Sequence, residues 1–274
     1  MSIYQSSARF DSAQRALTED ELYKIAPSIF ATTSHPSRSE SFQPISTIDV
    51  VRDLHKEGFS VVGATATRSR GDGRYSKHLL RIRPIDGAQK RVGDTVFEML
   101  LKNANDGSGA YDLMAGLFRI ACLNSVVAAL ATLGSIRVRH VGKDVSSKVI
   151  DGTFRVMSSA EPVLEAASRW SQVQLDMTQR QLLAHTAHEL RFGDSATHVS
   201  PGQLLTPRRH ADTQNDLWSV FNVIQENVIR GGVHTGYYDD NGRRRNSRSR
   251  AITGINESLS INRGLWQAAE ALAA

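Results

Sequence analysis

Arginine is clustered in this chain, and clustered arginine is the chemistry of phosphate binding. Five arginines fall within eight residues near the C-terminal end, after a glycine and between Asn and Ser side chains: Arg243, Arg244, Arg245, Arg248 and Arg250. The guanidinium group donates hydrogen bonds from a planar fork and stacks on bases, so this stretch predicts contact with nucleic acid. A solvated surface loop is an equally simple interpretation, and the residues alone leave both open.

Two further basic stretches combine arginine with turn-forming residues. The first is a glycine-containing turn followed by a tyrosine that can stack on a base: Arg68, Arg70, Arg74 and Tyr75. The second is Arg208 with Arg209, just ahead of a helix whose first backbone N–H groups favour an anion. For the second stretch, the pattern favours an ordinary loop that leads into a helix over a binding site.

Few residues have the spacing of a metal or catalytic site. His185 and His188 would lie on adjacent turns of a helix as a possible metal pair, but no third ligand accompanies them, which favours a surface or packing pair. The chain contains no P-loop, dinucleotide fingerprint or nucleophile elbow. We therefore expect no cofactor, no metal and no enzymatic activity. The less favoured alternative is a metal-dependent nuclease that uses the aspartates of turns: Asp72, Asp106, Asp239 and Asp240.

The composition is that of a globular protein with a moderate basic excess. The 274 residues include 33 Lys and Arg against 28 Asp and Glu, a formal charge of +5. The single cysteine, Cys122, excludes an internal disulfide and a cysteine-based zinc site, and we expect it to be a core thiol. The N-terminus has no secretory signal and no apolar stretch is long enough to span a bilayer, so we expect a cytoplasmic protein.

The middle of the chain has the period of β-strands. Glycine-containing turns separate five expected strands: 59–68, 77–83, 95–102, 111–122 and 135–141. They predict an antiparallel meander, in which every second residue lies on the same face. The polar sides are then expected to form one basic face, with helices packed on the other: Lys77, Arg81, Arg83, Arg137 and Arg139. Arg119 and Arg68 are expected at or near strand ends. Plain solvation of a one-sided sheet is the alternative.

Helical periodicity surrounds this sheet. Helices are expected at 18–25, 46–57, 163–177, 179–192, 213–230 and 261–272. Thr213 with Asp216 resembles a capping box, and three tryptophans fall on apolar helix faces and predict core: Trp170, Trp218 and Trp266.

The fold class is therefore expected to be α+β, with a helical C-terminal half. Three segments are predicted: an N-terminal arm with a short helix at 1–45, an α+β sheet core at 46–142, and a helical region at 143–274 that packs on the sheet and carries a basic loop at 237–250.

Six stretches of the sequence resemble one known family: SRSESFQPI at 37–45, YSKHLLRIR at 75–83, LLTPRR at 204–209, QNDLW at 214–218, QENVIRGG at 225–232 and RSRAITGI at 248–255. They are similar to the YfjQ/YafZ-like proteins of plasmids and prophages, which carry a domain of unknown function. The resemblance runs from the N-terminal helix to Trp266 and supplies no catalytic residues. It implies a mobile-element setting, where neighbouring proteins handle single-stranded DNA, recombination or host defence. Ala104-Asn105 departs from the Ser-His pair expected there.

Together these features predict a nucleic-acid-binding protein, with single-stranded DNA binding or annealing in recombination as the leading hypothesis. Annealing proteins work as rings or filaments, so self-association is expected, by analogy of fold only. The alternative hypothesis is an anti-defence protein whose positive surface binds and inhibits a host nuclease or effector.

Overall fold

Period-two alternation in the first half of the chain produces a β-sheet in the computed structural model. The structure describes residues 15–33, 35–37, 46–67, 73–85, 91–92, 94–106, 109–119, 124–127, 136–138, 145–193 and 198–274. The sheet strands are β1 (Phe59–Ala66), β2 (His78–Pro84), β3 (Arg91–Val92), β4 (Thr95–Asn103), β5 (Tyr111–Arg119), β6 (Asn124–Val127) and β7 (Ile136–Val138). Every pairing is antiparallel, in the order β1-β2-β4-β5-β6, with β3 on β4 and β7 on β5. The predicted meander and the α+β class are confirmed.

Two helices of the first half pack against this sheet. They are α2 (Thr47–Lys56) and α3 (Val145–Met157), which follow a short α1 (Glu19–Ile25). The acidic start of α1 is a capping box, in which Thr18 and Glu21 satisfy each other's backbone N–H groups. Gly58, with φ of 86°, ends α2 in a conformation that a β-carbon disfavours. Ser46 occupies the N-cap position of α2 without a side-chain cap hydrogen bond.

The second half is helical, as predicted, with one exception. Its helices are α4 (Ala160–Trp170), α5 (Met177–Phe192), α6 (Leu217–Arg230) and α7 (Ile255–Ala273). The helix expected at 163–177 ends at Trp170. The next helix, α5, begins at Met177, where Asp176 is its N-cap and forms a capping box with Gln179. At α6 the N-cap is Asp216, which accepts from the Ser219 N–H, and not Thr213.

The exception is the segment predicted to be a basic loop. It forms a two-stranded antiparallel hairpin, β8 (His234–Tyr238) with β9 (Arg244–Arg248). The loop prediction was therefore wrong. The β9 segment, RRNSR, contains no β-branched or aromatic residue and so gives only a weak strand signal, and its pairing with the tyrosine-containing strand is a tertiary event.

The chain divides into two compact units, one ending at Leu164 and one running from Glu165 to Ala274. In the second unit the predicted aromatic core is confirmed, since Trp170 and Trp266 are fully buried with their ring centroids 4.4 Å apart. Trp218 packs beside Trp170 at 6.1 Å. Among the residues that the structure describes, no helix is both long and apolar enough to cross a membrane.

Candidate nucleic-acid interface

The arginines of β2 are not on an open face. Arg81 and Arg83 are 7% and 0% exposed, and both bind the carboxylate of Glu98 on the neighbouring strand β4. Arg81 donates from Nε at 2.6 Å and from Nη2 at 2.7 Å, and Arg83 donates from Nε at 2.7 Å. The Arg81 guanidinium also lies 3.7 Å from the centroid of the Phe118 ring. The prediction that these arginines form an exposed basic face was wrong.

The physical reason lies in the two strands next to β2. In the register of the sheet, Arg81 is opposite Leu100, which is in turn opposite Met114. Both apolar residues are buried, as is Phe118 on the same face of β5. The sheet is therefore buried on both faces, and a cation enters such a face only with a counter-charge. Glu98 supplies that charge, and its position inside an apolar strand was the signal that the sequence analysis missed.

Two other predicted contact residues of the first unit, Arg119 and Arg137, also have acidic partners. Arg119 lies 3.0 Å from Asp94 with a side chain 12% exposed, and Arg137 lies 3.2 Å from Asp112 but keeps 68% exposure. Lys77 is half-buried just before β2. Arg74 is exposed in a turn, and the hydroxyl of Tyr75 is 3.2 Å from that of Thr33. Three of the predicted contact residues lie outside the described part of the chain: Arg68, Arg70 and Arg139.

Arg208 and Arg209 have structural partners within the second unit. Arg208 donates to Asn227 Oδ1 at 2.8 Å and to the carbonyl oxygen of Gly231 at the end of α6, and burial lowers the pKa of Arg208. Arg209 donates to Glu226 and to Asp212, two buried carboxylates. These bonds support the interpretation of this stretch as a structural loop leading into α6. A phosphate would have to compete with them.

The arginines of the β8–β9 hairpin have the opposite character. All five are exposed: Arg243, Arg244, Arg245, Arg248 and Arg250. Arg245 donates to Asp239 at 2.8 Å. The other four guanidiniums make no ion pair with any residue in the described part of the chain. Cations that are held in place but left without counter-charge attract anions such as phosphate.

The hairpin is held firmly at its root and at its tip. At the root, the Gly232 N–H donates to the Ser249 carbonyl at 2.7 Å, and Gln203 Nε2 donates to the His234 carbonyl at 2.8 Å. At the tip, Asp239 accepts from the Arg243 N–H at 2.9 Å. That bond first, and then the Arg245 guanidinium, hold the pKa of Asp239 below its ordinary value. The arginines therefore extend from an ordered ribbon.

One face of the ribbon forms a groove of about 580 Å³. On β9, Arg244 and Arg248 are four residues apart and so lie on the same face, with His234 opposite Arg248 in the register. The Arg244 guanidinium extends across to β8, where its Nε would be in ordinary van der Waals contact, at 3.6 Å, with a β-carbon at Gly236. Tyr237 stacks on the exposed His198 with ring centroids 3.9 Å apart and planes 2° from parallel. The groove thus combines two cations. Tyr237 is opposite Arg245 in the register, so the aromatic stack lies on the other face of the ribbon.

Comparison with known proteins identifies the family. The model of the family described as "Domain of unknown function (DUF932)" matches residues 34–266. The chain is 39% identical over 273 residues to UPF0380 protein YafZ of Escherichia coli (strain K12), with 97% of each chain covered. It is 38% identical over 273 residues to UPF0380 protein YfjQ of the same strain, again with 97% of each covered. The chain belongs to the DUF932 family. No solved structure matches it.

The predicted histidine pair of this DUF932 protein has ordinary partners. His185 Nδ1 is 3.5 Å from Glu189 Oε1 on the surface of α5, and His188 Nε2 is hydrogen-bonded to the Val199 carbonyl at 2.8 Å. Within the described ranges no three His, Cys, Asp or Glu side chains are grouped so that they could hold a metal ion. Cys122 and Asp72 lie outside these ranges.

A buried polar network in the DUF932 sheet was not predicted. Six side chains that are 0% exposed are connected by hydrogen bonds: Ser28, Thr47, His78, Asn103, Asn105 and Tyr111. Thr47 is its centre, with Oγ1 2.8 Å from the Tyr111 hydroxyl and 3.0 Å from His78 Nε2. Burial raises the pKa of Tyr111. Because the network is closed to solvent and its donors are satisfied, it joins α2 to the sheet and does not offer a substrate site.

Proposed function

We propose that this DUF932 protein binds nucleic acid, and single-stranded DNA in particular, through the β8–β9 hairpin. The observation that carries the proposal is the set of four exposed hairpin guanidiniums that no described carboxylate neutralises. Each phosphate that an arginine neutralises releases a condensed counterion, which drives binding and makes it depend on salt. Arginine also suits this role because its planar fork matches phosphate oxygens.

The aromatic stack favours a single strand over a duplex. His198 is exposed and lies parallel to Tyr237, so an unpaired base can continue the stack on the outer face of the imidazole. Bases in a duplex are already stacked on one another and cannot do so without being unpaired. Annealing of complementary strands during recombination is the activity that we propose for this binding, in keeping with the mobile-element setting implied by the resemblance.

The test is a fluorescence-anisotropy titration of matched single- and double-stranded oligonucleotides at several salt concentrations. We compare wild type with Arg244→Ala/Arg248→Ala, and with the control Arg52→Ala/Arg169→Ala, which removes the same charge from exposed arginines elsewhere. The hairpin variant is expected to weaken single-strand binding about tenfold or more and to reduce the log–log salt slope by about 1.4, for two phosphate contacts. The control should bind within about twofold of wild type.

Further measurements test the role of base stacking and separate the proposal from its alternatives. His198→Ala should lose the preference for single strands, since one stacked base contributes about 1–3 kcal/mol.

Wild-type affinity in the hairpin variant, or no binding by the wild type at low salt, contradicts the proposal. No binding would instead favour the anti-defence hypothesis, which predicts a stable complex with a host nuclease or effector. Incubation of DNA with Mg²⁺ or Mn²⁺ tests the nuclease alternative. Self-association and a cytoplasmic location stay predictions.

A further inference from the structure

A second basic groove lies in the first unit, along the outer edge of strand β7. It encloses about 540 Å³ between β7 and helix α3. Its polar lining comes from Arg137 on β7 and from Lys148, Asp151 and Arg155 on α3. In the described part of the chain β7 pairs only with β5, and the groove lies between this short strand and α3.

A glycine in α3 creates the shape of this groove. A β-carbon at Gly152 would lie 2.7 Å from Leu113 Cδ1, closer than real contacts, and 3.3 Å from Ile136 Cγ2, a tight contact. Gly152 therefore lets the helix approach the sheet closely at this edge. Lys148 precedes the glycine by four residues and Arg155 follows it by three, so both lie on the same side of the helix. The close approach brings these two cations alongside β7.

The charge of the groove is positive and poorly neutralised. Lys148 and Arg155 are exposed, and neither forms an ion pair with Asp151 or with any other carboxylate in the described ranges. Arg137 contacts Asp112, but Lys102 lies 2.8 Å from the same carboxylate. One carboxylate charge is thus shared by two cations, and the Arg137 side chain remains 68% exposed. Among the described residues, three cations therefore line the groove together with one carboxylate, Asp151, which lies between Lys148 and Arg155 on α3.

We propose that this groove binds phosphate groups of a nucleic-acid backbone, as a second contact separate from the hairpin. This inference rests on the proposed function and extends it. Lys148 and Arg155 are seven positions apart, about 10 Å along the helix, which is too far for one phosphate but suits successive phosphates of a strand. The groove is also open to solvent, which fits a backbone that enters and leaves, unlike the enclosed pocket of a small-molecule site.

The experiment uses the full chain and the same oligonucleotide titrations. The test variant is Lys148→Ala/Arg155→Ala, and the control is Lys24→Ala/Lys56→Ala, which removes equal charge from exposed lysines of the same unit. The groove variant is expected to weaken single-strand binding about tenfold and to lower the salt slope by about 1.4. Combination with Arg244→Ala/Arg248→Ala should lower the slope by the sum of the two effects, because the sites share no residue. Thermal unfolding of all variants should match wild type.

The outcomes separate this inference from the function on which it rests. If the groove variant keeps wild-type affinity and slope while the hairpin variant weakens, the groove is not a contact and the hairpin function stands. If the groove variant weakens binding and the hairpin variant does not, the groove inference holds and the hairpin proposal fails. If the wild type binds no nucleic acid, both fail. Equal weakening by the lysine control would show a general charge effect and would also overturn the groove.

Discussion

The arginines of strand β2 and those of the β8–β9 hairpin share a residue type but differ in what surrounds them. Arg81 and Arg83 are buried and bound to Glu98. Arg244 and Arg248 are exposed on the hairpin, and neither forms an ion pair with a carboxylate in the part of the chain that the structure describes. The first pair uses its charge inside the fold, and the second pair leaves its charge available to a ligand. The comparison teaches that alternation of arginine with apolar residues does not by itself indicate a binding face. A carboxylate on the adjacent strand changes the role of the cation.

Removal of the shared carboxylate should have the largest effect. Glu98→Gln leaves two buried guanidiniums without their counter-charge, and Arg83 Nη1 already has no hydrogen-bond partner among the described residues. We expect the free energy of unfolding of the first unit to fall by about 3–5 kcal/mol, as measured by urea denaturation. Glu57→Gln, at an exposed carboxylate of the same unit, is the control and should change it by no more than about 0.5 kcal/mol.

A triple replacement in the sheet tests whether Arg81 and Arg83 contact nucleic acid. Arg81→Met, Arg83→Met and Glu98→Leu together remove the charges and keep apolar volume, which is commonly neutral or stabilising at buried ion clusters. Nucleic-acid affinity should then equal that of the wild type. Loss of binding in a folded triple variant would show that the sheet arginines do reach a ligand.

The root of the hairpin is expected to be the next most sensitive point. Gly231 has φ of 62° and ψ of −150°, a region open only to glycine, and a β-carbon there would lie 2.5 Å from the backbone of Arg250. Gly231→Ala should cost about 3 kcal/mol of unfolding free energy and should weaken oligonucleotide binding, because the ribbon is displaced. Gly202→Ala, where a β-carbon meets nothing within 4 Å, should change neither quantity appreciably. Unchanged binding in Gly231→Ala would mean that the arginines need no fixed placement.

The smallest expected effect is the pH dependence of the hairpin tip. Hydrogen bonds from the Arg243 N–H and the Arg245 guanidinium lower the pKa of Asp239 in the folded protein. A carboxylate of this kind stabilises the folded tip above its unfolded pKa of about 3.9, and that stabilisation is lost as pH falls through the lower folded value. Carbon-detected NMR of the carboxylate should report the lowered pKa, with amide protection of the tip falling over the same range. In Asp239→Asn, amide protection should show no such step.

The elements of the fold were largely predictable from local pattern. The strands β4 and β5 and the helix α5 lie close to their expected positions, because alternation and helical periodicity are properties of neighbouring residues. The end of the helix at Trp170 was missed, since the apolar spacing continues through Met177 and only the cap at Asp176 marks the break. In the candidate site, the hairpin arginines were recognised because they are concentrated in a short stretch. That this stretch forms a β-hairpin was not predicted.

What the sequence determined by itself was the order and type of most elements, the aromatic core at Trp170 and Trp266, and the places where arginine is concentrated. These follow from composition and from periods of two and 3.6 residues. Tertiary structure alone decided which arginines are neutralised. Glu98 is 15 residues from Arg83 along the chain, and their contact exists only because β2 and β4 pair as neighbours. Burial and charge partners depend on that pairing, and no local pattern of β2 contains it.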